Sequence, residues 1–133
     1  MSYISTNLNM LTTVAKKVSS GLARDFNELE KLQTSIKGHT EFTKAAVERT
    51  LKNLRNELQK SRPQMPVITI GEKAPNGAYF LVSALDGELN FVHGIPHFAV
   101  SIAEIVDGQV VSFIDKSISE HPICYGGDSN GNN

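Results

Sequence analysis

Apolar residues recur at three- and four-residue steps through the first part of the chain, and then the period changes. Val14, Val18, Leu22, Phe26, Leu29 and Leu32 share one face of a helix predicted over about Leu8–Thr34. Gly21 inside it costs up to about 1 kcal/mol relative to Ala, enough for a bend or break there. A second stripe, Val47, Leu51, Leu54 and Leu58, predicts a helix over about Phe42–Lys60. Beyond Pro63 and Pro66, Val67–Ile70 and Ala78–Leu85 are short apolar runs bounded by Pro, Gly and Asn, and they read as strands. A helical turn is expected at Glu88–Val92, then strands at His97–Val106 and Gln109–Ile114. The Asp107-Gly108 pair between those strands is a two-residue hairpin signal. The pattern predicts an α+β chain, with two N-terminal helices packed on a mostly antiparallel sheet. Residues 1–120 read as a single domain and 121–133, rich in Gly, Asn and Ser, as a flexible tail.

Composition narrows the function classes. With 133 residues the chain can bury one real core. Forty per cent apolar residues and a net charge of −1 describe an ordinary soluble domain with no basic excess for nucleic-acid binding. No apolar run is long enough to span a membrane. The single Cys124 cannot form an internal disulfide, which fits a reducing, cytoplasmic setting. Beside His121 it lacks a third, orienting group, so catalysis is not expected there. Residues 1–24 contain no acid and include Lys16, Lys17 and Arg24, a transit-like composition that the first helix accounts for equally well.

The candidate chemistry lies after Tyr79-Phe80-Leu81-Val82, where an apolar run leads into Asp86-Gly87. A carboxylate beside free backbone N–H groups is the minimal apparatus for a hard cation and a phosphate. A surface Asp-Gly turn between two core segments is the plainer reading of the same residues.

Asp86-Gly87, Asn90-Phe91, Gly94 and Pro96-His97-Phe98-Ala99-Val100-Ser101-Ile102 resemble the inositol monophosphatase family, especially its bacterial extragenic-suppressor (SuhB-like) branch. Lys37-Gly38 with Glu41-Phe42, and Ile68-Thr69-Ile70-Gly71-Glu72, resemble two upstream family segments. The similarity covers roughly residues 10–114. It implies a truncated sugar-phosphatase-like αβ layer fold and a Mg²⁺-dependent phosphomonoesterase acting on inositol or sugar phosphates. By the same resemblance Glu72 and Asp86 match metal ligands, Gly87 and Glu88 the phosphate-binding turn, and Lys37 a basic residue near the metals.

Three departures weaken that chemistry. Ser83 stands where the family has the first Asp of its Asp-Pro-Ile-Asp segment, and a hydroxyl is a poorer Mg²⁺ ligand than a carboxylate. A gapless alignment places Val47 on a further family Asp and Lys44 on its Thr. Glu88 replaces the Thr after Asp-Gly and brings negative charge to the phosphate position. Two anions held about 4 Å apart cost about 4 kcal/mol at a surface-like dielectric. The resemblance covers the family's N-terminal half, and its last carboxylate ligand would fall beyond Asn133. The histidines give no site: Pro96 separates His93 from His97, for which packing or edge positions are expected, and His39 and His121 read as loop residues.

Three functions fit these residues: a divergent phosphomonoesterase using Glu72 and Asp86, a catalytically silent homologue that binds a transcription or ribosome-assembly partner, or a truncated gene remnant. A sheet that normally continues into a second half would leave apolar surface open, so a homo-oligomer or a covering protein partner is expected.

Overall fold

A computed structural model describes residues 6–32, 35–118 and 124–128. Helix α1 (Thr6–Lys31) turns Leu8, Leu11, Val14, Val18, Leu22, Phe26 and Leu29 to one side. It runs unbroken through Gly21, where a Cβ would meet nothing within 4 Å. Helix α2 (Ile36–Ser61) begins six residues before the Phe42 start that periodicity predicts. The reason is local: the Ser35 hydroxyl accepts the Gly38 N–H at 3.2 Å and caps the helix. His39, expected in a loop, therefore lies in the first turns of α2. Its buried stripe is Thr43, Ala46, Thr50, Leu54 and Leu58. Val47 and Leu51 flank that stripe, half-buried against the core.

The remaining elements are β1 (Val67–Thr69), β2 (Ala78–Asp86), the short helix α3 (Glu88–Val92), β3 (Phe98–Val106), β4 (Gln109–Ile118) and β5 (Cys124–Asp128). They form a five-stranded sheet in the order β1-β2-β3-β4-β5, with β1 parallel to β2 and every other pair antiparallel. Asp107 and Gly108 take φ of 51° and 80°, as a tight primed turn between β3 and β4 requires. β5 falls in the region expected to be a tail. β4 continues to Ile118, four residues past its expected end, and this longer edge pairs with Cys124–Asp128.

Both long helices pack on one face of the sheet, α1 over β3 and β4, and α2 over β2. Strand alternation directs Val82, Ile102 and Ile114 to that face, and all three are buried. The opposite face carries an apolar cross-strand row, Ile68, Leu81, Ala103 and Phe113, beside a polar row, Ser83, Ser101 and Asp115. Among the described residues no helix lies over these two rows, and Phe113 is 42% exposed.

A polar network ties the layers together on the helix side. Glu104 is only 6% exposed. Arg62, the C-cap of α2, donates to it at 3.2 Å. Asn7 at the start of α1 donates to Glu104 and to Ser112 and accepts from Arg62. A buried carboxylate persists only with such partners.

Candidate functional site

The Asp86-Gly87 corner is set by packing behind it and by register beside it. Phe26 of α1, Phe91 of α3 and Phe98 of β3 form a triad with ring centroids 4.9–5.4 Å apart. The triad anchors the chain on either side of the corner. Gly87 has φ of 88°, and a Cβ there would sit 2.7 Å from the His97 carbonyl oxygen. Asn90 closes the loop by donating its side-chain amide to that same carbonyl at 2.8 Å.

Strict alternation along β2 would put Asp86 on the helix face with Val82 and Ala84. The register against β3 shifts between Ser83 and Asp86 instead, so Ala84 and Leu85 are both buried and Asp86 returns to the side of Ser83. There the Ser83 hydroxyl donates to Asp86 Oδ1 at 2.6 Å. The Ser101 hydroxyl lies 2.6 Å from Asp86 Oδ2 and 3.3 Å from Asp115 Oδ1. It has one proton, and the shorter separation assigns that proton to Asp86. An open cleft of about 390 Å³ borders this cluster, lined by Asp86, Gly87, His97, Ala99, Asp115 and Ser117.

The other sequence-selected residues lie elsewhere. Glu72 follows β1, and its Oε1 accepts the Thr69 N–H and hydroxyl, each at 2.8 Å. Those two bonds, the backbone one foremost, hold its carboxyl below the usual range, and Arg55 at 3.2 Å adds to them. Lys37 is exposed in the first turn of α2. Glu88 opens α3 and is exposed. Neither Glu72 nor Lys37 lines the Asp86 cleft. His97, an exposed residue, is among those that line it, whereas His93 is the exposed C-cap residue of α3. His121 lies outside the described residues.

Ser101 and Asp115 are the residues that sequence reasoning missed. Ser83, Ser101 and Asp115 are successive Cα partners across β2, β3 and β4. Counting back from the Asp107-Gly108 hairpin would have brought Ser101 close to Asp115. The register shift between Glu104 and Ile105 displaces that count by one residue.

Comparison with known proteins now decides the lineage. The model of the inositol monophosphatase family matches residues 4–120. The chain belongs to the inositol monophosphatase family. It is 39% identical to an inositol-1-monophosphatase of Rhizobium meliloti over 111 residues, which is 80% of this chain and 42% of that protein. It is 30% identical to Nus factor SuhB of Pasteurella multocida over 106 residues, 77% of this chain and 40% of that one. The crystal structure of extragenic suppressor protein SuhB from Bartonella henselae matches with a TM-score of 0.75 at 26% identity, over 96% of this chain and 50% of that one. The chain thus spans about two-fifths to half the length of the relatives it matches.

The inositol monophosphatase family works with Mg²⁺, and the donors here do not suit that ion. Among the described residues no three His, Cys, Asp or Glu side chains converge to hold a metal. Asp86 already accepts a hydroxyl on each oxygen, and Glu72 is bound to Thr69 and Arg55. Ser83 adds only a neutral oxygen beside Asp86. No catalytic step through Mg²⁺ can be built on this set.

Proposed function

We infer that this inositol monophosphatase family protein retains the scaffold of a Mg²⁺-dependent phosphomonoesterase of inositol or sugar phosphates, with catalysis lost or severely weakened. One observation carries the reading: Asp86 is engaged by Ser83 and Ser101, and no second carboxylate stands where the first family Asp is expected. Glu88 adds charge of the wrong sign at the turn that should receive phosphate. Glu72 and Asp86 are the residual metal ligands in this reading, Gly87 and Glu88 the residual phosphate turn, and Lys37 the residual basic residue. Among the described residues no helix is long and apolar enough to cross a membrane, and the single Cys124 suits a reducing, cytoplasmic setting.

The test is phosphate release from inositol monophosphate with and without Mg²⁺, using Asp86→Asn as control. Equal rates for the two proteins support the inference. Mg²⁺-dependent turnover that Asp86→Asn abolishes would overturn it.

The Ile68-Leu81-Ala103-Phe113 row favours a second reading, a non-catalytic homologue whose sheet face is covered by a second copy or a protein partner. The resemblance to the SuhB-like branch, to which the Pasteurella relative's name also belongs, directs such a search toward transcription or ribosome-assembly machinery.

A further inference from the structure

We propose that the Ser83 hydroxyl, acting with the Ser101 hydroxyl of the family-like strand, takes the place of a divalent cation at Asp86, making this corner of the fold independent of metal. This rests on reading the site as a phosphatase relic, and it assigns Ser101 a positioning role. A carboxylate needs its charge met, and among the described residues no lysine or arginine forms an ion pair with Asp86. Each of its oxygens instead receives one hydroxyl at 2.6 Å, the short separation of an O–H bond to a charged acceptor.

The clamp is a product of register. Ser83 and Ser101 are Cα partners on β2 and β3, and the irregularity after Ser83 turns Asp86 back between them. A carboxylate at position 83, as in the family's pattern, would face Asp86 as a like charge and need a cation between the two. Serine at that position replaces a repulsive partner with a donor. A cation could still reach the spare lone pairs of Asp86. It would find Asp86, the serine hydroxyls and, across Ser101, Asp115 on the same cleft, and among the described residues no third acidic or histidine side chain joins them. Asp115 faces the other side of Ser101, and the single hydroxyl proton already committed to Asp86 leaves it outside the clamp.

The experiment is thermal melting of the full chain across a Mg²⁺ series and in chelator, with Mn²⁺ titration followed by electron paramagnetic resonance on the unaltered protein. The unaltered chain should melt at the same temperature throughout and leave Mn²⁺ free. Ser83→Asp should melt a few degrees lower in chelator and recover that loss with Mg²⁺. A saturable Mg²⁺ shift in the unaltered chain, removed by Asp86→Asn, would overturn the proposal, as would Ser83→Asp melting alike in both conditions. If Ser83→Asp does not fold, the Mn²⁺ titration decides alone. Tight Mn²⁺ binding without turnover sinks the clamp but spares the relic reading, whereas turnover without any metal shift does the reverse.

Discussion

Gly87 is the residue on which the corner turns, and it admits no side chain. With φ of 88° and the His97 carbonyl 2.7 Å from a Cβ position, Gly87→Ala should lose about 1–3 kcal/mol of stability. Gly94 has a similar φ of 73° but open space around it, so Gly94→Ala should lose only the backbone cost of about 1–2 kcal/mol. Urea denaturation of both variants separates strain from clash. Glu72 gives a pH signature. Its carboxyl titrates below the ordinary 4.5, so its contribution is present above that value and is lost as pH falls through the lowered one. Glu57, held down by Lys17 and Lys60, has the same sign. In melting curves taken against pH, the difference between the wild type and Glu72→Gln should shrink toward the acid end. At this scale the sequence displayed Asp86, Gly87, Ser83 and Glu88, because they are neighbours along the chain. Ser101 and Asp115 were hidden, since two register shifts separate their positions from what spacing suggests.

Between elements, the Asn7–Arg62–Glu104–Ser112 network joins both helices to β3 and β4. Removing one partner of a buried ion pair typically costs about 3–5 kcal/mol. The Arg62 side chain is 40% exposed, so Arg62→Met should fall at or below the lower end of that range. Adding Glu104→Met should recover part of the loss, because it removes the orphaned charge. Urea denaturation of the two single variants and the double variant measures both claims. Element types were legible wherever period and turn chemistry agreed, as in α1, α3 and the Asp107-Gly108 hairpin. A boundary moved, and one strand was missed, where one side chain or one neighbour decided the outcome. The Ser35 cap carried α2 back to Ile36, and the exposed edge of β4 drew Cys124–Asp128 into the sheet.

For the whole molecule, one sheet face rests on two helices while the other presents Leu81, Ala103 and Phe113 beside Ser83, Ser101 and Asp115. In the self-associating form of the non-catalytic reading, sedimentation velocity should show association that grows with concentration. Phe113→Asp, which charges the middle of the apolar row, should shift the chain to monomer. A strictly monomeric wild type at high concentration would remove that form of the reading. The layer order and family were readable from sequence because motif order survives substitution. The state of the site was not, because it depends on which oxygens the serine hydroxyls meet. The most direct test sets this chain beside the Rhizobium meliloti inositol-1-monophosphatase in one Mg²⁺-dependent assay of phosphate release from inositol monophosphate. The account predicts release no faster than that of the chain's own Asp86→Asn variant. Turnover approaching that of the relative, and abolished by Asp86→Asn, would contradict it.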